Sequence, residues 1–221
     1  MPLAAVLFDL DGTLVDSRAD IAAAANHALA RHDFPTLSVE TISGYVGDGA
    51  QLLLARASGL AVTDPRIPEL YSSFVEFYGA HPANKTRLCT GAAEALDGRL
   101  GLVLGLCTNK PRTTTLRVLD ALGISRHFEV IVAGGDARAK PDPEPVLLAA
   151  RALGVRPGDV VMVGDGAQDV LSGRGAGART VGVRGGIQPE ETLLRAEPDA
   201  MLESLLELPA LLDAWRSPSD D

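Results

Sequence analysis

Five short runs, at residues 4–8, 102–107, 130–133, 160–163 and 180–183, are almost wholly apolar, with no polar residue on alternate positions. A strand with one wet face alternates, whereas a strand covered on both faces reads as a continuous apolar run. Helical stretches separate the later runs. Residues 113–122 end at Gly123, and residues 143–153 have Asp142 placed as N-cap, Pro143 at the first helical position and Gly154 just past the end. Residues 169–176 and 202–215 read as further helices. Strand–helix alternation of this kind predicts an α/β fold around a mainly parallel sheet. At 221 residues, 46% of them apolar, the chain is long enough to bury such a core.

The alternation breaks once. About ninety residues after the first run carry no strand signal. Residues 17–31 read as a helix with Ser17 and Asp20 spaced as a capping box. Residues 39–58, interrupted by Gly44, Gly47 and Gly49, and residues 67–81 can also be helical. This stretch is expected to form a small all-helical domain of its own, residues 17–82, inserted into a core made of residues 1–16 and 83–221. The polar tail 217–221 is expected to fray.

Composition excludes several roles. No apolar run approaches the ~18 residues of a membrane span. With 29 acidic against 20 basic residues the net charge is −9, which argues against nucleic acid as a partner. Cys89 and Cys107 make neither a disulfide framework nor a zinc site, and Cys107 reads as a small buried hydrophobe. The first residues carry no basic leader of a signal peptide, so a cytoplasmic location is expected. Only three of the 20 basic residues are lysines, at 85, 110 and 140, which singles each of them out.

In open parallel sheets, ligands collect at the carboxyl ends of the strands. Asp9-Leu10-Asp11-Gly12-Thr13 follows the first run, and Thr108-Asn109-Lys110-Pro111 the second. Lys140-Pro141 lies beyond the third, and Gly164-Asp165-Gly166-Ala167-Gln168-Asp169 follows the fourth. Singly, these are a turn, a helix cap, a loop lysine and acids at a helix start. Together they bring carboxylates, a hydroxyl and a lysine to one sheet edge. Oxygen donors such as Asp9 and Asp165 suit magnesium, which bridges to substrate phosphate. A carboxylate can attack phosphorus and divide one difficult step into two. Asp11, two residues from Asp9, can protonate the leaving alcohol and later deprotonate water. Lys140 and Thr108 can neutralise and orient the phosphoryl oxygens.

The run Asp9-Leu10-Asp11-Gly12-Thr13-Leu14-Val15-Asp16-Ser17, with Thr108-Asn109, Lys140-Pro141 and Gly164-Asp165 plus Asp169, resembles the four motifs of the haloacid dehalogenase-like hydrolase superfamily, over nearly the whole chain. The resemblance implies a Rossmann-like core with a mobile helical cap after the first strand. It implies Asp9 as nucleophile and Asp11 as acid/base, with Thr108 and Lys140 as phosphate binders. It also implies magnesium as cofactor, with Asp165 as ligand and Asp169 in support, so that Asp9, Asp11, Asp165 and Asp169 form the acidic metal set. Tyr45-Val46-Gly47-Asp48-Gly49-Ala50, Thr108-Asn109-Lys110-Pro111 and Gly134-Gly135-Asp136 look more narrowly like the phosphoglycolate phosphatase subfamily. Gly166 departs from the Ser or Thr common there. On this reading Asn109 and the loop residues Gly47, Asp48 and Gly49 join the substrate-binding set, although loop 47–50 reads equally as a plain helix–helix turn.

The expected function is magnesium-dependent hydrolysis of a small phosphorylated metabolite, foremost 2-phosphoglycolate, through an aspartyl-phosphate. The alternatives are another small phosphoester, pyrophosphate, or a phosphosugar mutase. Tyr71, Phe74, Phe77 and Tyr78 recur at helical spacing and read as the core of the insertion. The four histidines form no ligand cluster and receive no role.

Overall fold

The computed structural model describes residues 3–216. Among these described residues, ten α-helices and eight strands follow one another, with three 3-10 turns between them. The main sheet uses β1 (Ala5–Phe8), β4 (Val103–Pro111), β5 (Val130–Gly134), β6 (Val160–Gly164), β7 (Arg179–Val183) and β8 (Ala200–Leu202). Their order is β5-β4-β1-β6-β7-β8, and every pairing is parallel. Helices cover both faces, as the apolar runs require. Along β1, Val6 and Phe8 point into one core cluster, while Ala5 and Leu7 point into the other. The second cluster is closed by Val146, Ala149 and Ala150 of α7 (Glu144–Leu153). β1 pairs with β4 on one side and β6 on the other, so the chain reverses its direction of winding at the centre of the sheet. That is where a crevice opens at the strand ends.

The long break in the pattern holds α1 (Arg18–Arg31), α2 (Val39–Ser43), α3 (Ala50–Ser58) and α4 (Ile67–Ala80). These four helices pack on one another, α1 against α4, α2 and α3, and α3 against α4. Tyr78, Phe74, Leu70 and Leu54 lie buried among them, with Tyr71 and Phe77 partly buried. The chain enters through β2 (Val15–Asp16) and returns through β3 (Arg87–Leu88). These pair antiparallel, Val15 with Leu88 and Asp16 with Arg87. This ribbon is absent from the sequence reading because two residues carry no period.

Four local expectations are corrected. Ser17 does sit at the N-cap of α1 but makes no side-chain cap. Its hydroxyl donates to Asp11 at 2.5 Å, and Asp20 accepts from the Lys85 and Thr86 backbone N–H groups and the Thr86 hydroxyl. The expected capping box thus serves long-range ties at both ends. The helix read over 39–58 is two helices, since Gly47 and Gly49 take φ of +122° and +94°, outside the helical region. α7 begins one residue later than expected, with Pro143 at its N-cap position, although Asp142 Oδ1 still accepts from the Glu144 N–H at 2.9 Å. The helix read over 202–215 begins only at Leu208 as α10 (Leu208–Arg216). Ahead of it, β8 is held against β7 by Asp199, which accepts from the Thr180 N–H and hydroxyl. The tail at 217–221 lies outside the described residues. No helix among the described residues is long and apolar enough to cross a membrane.

Candidate active site

Asp9 follows β1 directly, and its backbone N–H donates to the Val163 carbonyl of β6. Asp165 follows β6, and Asp169 lies in the first turn of α8 (Ala167–Ala176). These three buried carboxylates each offer an oxygen within 4.8 Å of the others. Lys140, 2% exposed, reaches among them. Its Nζ donates to Asp9 Oδ1 at 2.7 Å, Asp169 Oδ1 at 2.5 Å and the Cys107 carbonyl at 2.6 Å. Three carboxylates against one ammonium leave a surplus of negative charge in a dry place. Burial accordingly drives the Asp9 carboxyl up to about 7, with Asp169 and Asp165 adding to the rise and Lys140 opposing it. Burial also lifts Asp165 to about 6, helped by Asp169 and opposed by the Gln188 and Ile187 N–H groups and the Thr13 hydroxyl. Burial alone would lower the Lys140 ammonium, but Asp169 and Asp9 outweigh it and hold it protonated. A set of buried hard oxygen donors with unbalanced charge fits a divalent cation of the magnesium type.

Close approach shapes the backbone around this cluster. Gly12 has φ of +96°, and a Cβ there would meet Asp165 Oδ2 at 2.2 Å and the Ile187 N at 2.8 Å. No other residue fits the turn that follows Asp11. Thr13 Oγ1 donates to Asp165 Oδ1 at 3.2 Å, while the Ile187 and Gln188 N–H groups donate to Asp165 Oδ2 at 2.7 and 3.1 Å.

Asp11 was placed in the metal set by the sequence, but its carboxylate stands outside the three-carboxylate group. Lys110 Nζ donates to its Oδ1 and Oδ2 at 3.0 and 3.1 Å, and Ser17 Oγ donates to Oδ1. The pocket beside it is lined on the sheet side by Asp9, Asp11, Thr108, Asn109, Lys110 and Gln168. Across it stand Ile21, Val46, Gly47, Gly49, Leu53, Phe74 and Tyr78 of the helical insertion. Thr108 is buried and accepts from the Lys110 N–H. Asn109 is spent on structure: Nδ2 donates to the Gly47 and Lys140 carbonyls, both at 2.9 Å, and Oδ1 accepts from the Lys140 N–H at 2.8 Å. Of the expected loop residues, Gly47 and Gly49 reach the pocket and Asp48 does not, because its carboxylate turns away to Arg56 at 2.8 Å. Gln188 amide donates to the Val46 carbonyl and closes the loop from the other side.

Lys110, Tyr78, Gln168 and Gln188 were missed as site residues. The signals for Lys110 were the scarcity of lysine and its place in the run Thr108-Asn109-Lys110-Pro111 past a strand end. Nothing local distinguishes Tyr78 from its aromatic neighbours, and its link to Lys110 spans 32 positions.

Comparison with known proteins agrees with this geometry. The model of the haloacid dehalogenase-like hydrolase family matches residues 6–183, and the chain belongs to that family. It is similar to the N-acetylmuramic acid 6-phosphate phosphatase of Pseudomonas aeruginosa, 36% identical over 217 residues that cover 96% of each chain. It is also similar to the phosphoglycolate phosphatase of Salmonella typhi, 36% identical over 230 residues, covering 93% of this chain and 91% of the other. Among solved structures, a predicted phosphoglycolate phosphatase from Haemophilus somnus superposes with a TM-score of 0.86 at 27% identity, over 95% of this chain and 97% of the other. The enzyme class read from the motifs, a phosphoric monoester hydrolase, is the one these relatives share, and the Rossmann-like α/β core is the family fold.

Proposed function

We propose that the protein is a magnesium-dependent phosphatase for a small phosphomonoester, working through an aspartyl-phosphate on Asp9. The observation that carries this reading is the buried group Asp9, Asp165 and Asp169 with Lys140 among them, set at the carboxyl ends of β1 and β6. Asp9, Asp165 and Asp169 would hold the ion, which when bound supplies positive charge against the phosphoryl oxygens. An Asp9 oxygen attacks phosphorus while the ester oxygen departs with a proton from Asp11. Water then attacks the phosphorus of the acyl phosphate, gives a proton to Asp11 and releases inorganic phosphate. Lys140 orients Asp9 and, with Thr108, balances phosphoryl charge. Residues 17–82 act as a cap over this site, supported by the pocket walls drawn from both parts and by the loop contacts of Asn109 and Gln188.

For the substrate, 2-phosphoglycolate is the leading reading, supported by the Thr108-Asn109-Lys110-Pro111 and loop 45–50 motifs and by the relatives that share that activity. A second reading has its own support. The wall made by Ile21, Val46, Leu53 and Phe74 is apolar, and glycolate has little to set against it, whereas a bulkier alcohol such as the N-acetylmuramate named for another relative has more surface to offer it. Phosphate release should be measured with both esters, with and without magnesium. A higher kcat/KM for 2-phosphoglycolate upholds the first substrate, and the reverse upholds the second. Full turnover of either after exhaustive chelation refutes the metal-dependent mechanism.

A further inference from the structure

We propose that Lys110 is a positioning residue, which holds the Asp11 carboxylate in the orientation from which it serves the leaving oxygen; this rests on the reading of Asp11 as acid/base. Lys110 is the third residue of the run Thr108-Asn109-Lys110-Pro111, and its side chain is 2% exposed. Burying an ammonium is costly unless it is well paired, so its partners indicate its purpose. Nζ grips both oxygens of Asp11, at 3.0 and 3.1 Å, and donates to the Tyr78 hydroxyl at 2.7 Å. It also lies 4.1 Å from the centroid of the Tyr78 ring. These contacts place the ammonium's three donors on Asp11 and Tyr78.

The geometry separates orientation from simple charge balance. A single contact would leave the Asp11 carboxylate free to turn. Contact with both oxygens, together with the Ser17 hydroxyl on Oδ1 at 2.5 Å, fixes its plane. The two groups on Asp11 come from different places, Ser17 from the N-cap of α1 and Lys110 from β4, and Lys110 is itself steadied by Tyr78 of α4. The insertion thus reaches Asp11 directly through Ser17 and indirectly through Tyr78. Misplacing a catalytic group by about 1 Å can cost on the order of 10²-fold.

The test uses three substrates and reads kcat/KM, which reports steps up to departure of the alcohol. Glycerol 3-phosphate and 2-phosphoglycolate release alkoxides that need a proton. p-Nitrophenyl phosphate releases a phenolate that does not. Lys110→Met should lower kcat/KM by about 10²-fold for both alkyl esters and only a few-fold for the aryl ester. Lys110→Arg, which keeps a cationic donor, should recover part of the alkyl activity. Asp11→Asn should show the same substrate pattern, and adding Lys110→Met to it should cost nothing more, as expected of groups acting as one unit. Tyr78→Phe removes only the hydroxyl and should give the same pattern at smaller size, which keeps the test open if Lys110→Met does not fold. Equal losses on all three esters would reduce Lys110 to a structural ion. A loss confined to 2-phosphoglycolate would make it a carboxylate binder. Either result overturns the proposal. An Asp11→Asn enzyme as active on alkyl esters as wild type would overturn the acid/base reading itself, and an inactive one beside a fully active Lys110→Met would overturn Lys110 alone.

Discussion

On the sheet side of the pocket, Asp9, Asp165 and Lys140 are each held by partners that lie far away in sequence. On the insertion side, loop 46–49 is held by two amide side chains, Asn109 and Gln188, which donate to carbonyls of Gly47 and Val46. The first wall is charged, dry and fixed by strand ends. The second is apolar and rests on a few neutral hydrogen bonds, each worth about 1 kcal/mol net. On the proposed mechanism, the chemistry that needs exact placement sits on the first wall, and contacts that can vary with the alcohol sit on the second.

The comparison predicts very unequal costs. Asp9→Asn should reduce phosphate release by at least about 10³-fold, since the amide is nearly isosteric but no nucleophile. The same variant sharpens the electrostatic side of the contrast. A carboxyl raised to about 7 by burial stabilises the fold below its unfolded value near 3.8, and that contribution is lost as pH rises through 7. Without metal, wild type should therefore lose melting temperature as the pH is taken from about 5 to about 8, and Asp9→Asn should melt higher than wild type at the upper end. A metal-free melting curve that is flat across this range would break the argument. Magnesium should restore the wild-type melting temperature and not that of Asp9→Asn to the same extent, because bound ligand stabilises the state that binds it.

The second wall should cost less. Replacing Gly47 and Gly49 together with valine forces left-handed backbone on branched side chains, at about 1–3 kcal/mol each, and sets a Cβ 2.4 Å from the Gln188 amide. The expected loss in kcat/KM is about tenfold or more for a natural small phosphoester and much smaller for a generic aryl phosphate. Identical losses on both would mean that the loop is only a turn. Gln188→Ala removes one neutral hydrogen bond and should lower kcat/KM no more than about fivefold, with the melting temperature unchanged. A loss as large as that of Asp9→Asn would place Gln188 on the chemical wall and erase the distinction.

What could be read beforehand follows the same division. Strands buried on both faces announce themselves as apolar runs, and the residues just past their ends carry the charged wall, so Asp9, Thr108, Lys140, Asp165 and Asp169 were legible. The other wall was not. Asp48 has the same neighbours in sequence as Gly47 and Gly49, and only the pull of Arg56 turns it outward. Lys110 and Asp11 meet across 99 positions, and Gln188 and Val46 across 142, distances over which no local period operates. The β2–β3 ribbon and β8 were too short to carry an alternation, and the Ser17–Asp20 spacing matched a cap that long-range partners had claimed.

The pairing of β1 has a consequence for how the chain comes to be folded at all. Val6 lies opposite Leu104 on one side and Val161 on the other. Of the six strands in this sheet, the first to be made is thus a central one, and its second neighbour follows 155 residues later. At ordinary synthesis rates of 5–20 residues per second that is a wait of roughly 8 to 30 s. The four helices that come next can collapse on one another meanwhile, since their contacts are local and such contacts form fast. β1, wholly apolar, cannot be enclosed until β6 arrives. During that interval it is a sticky segment in need of shielding, and the three-carboxylate group, which exists only where β1 and β6 lie side by side, cannot take shape before β6 is made.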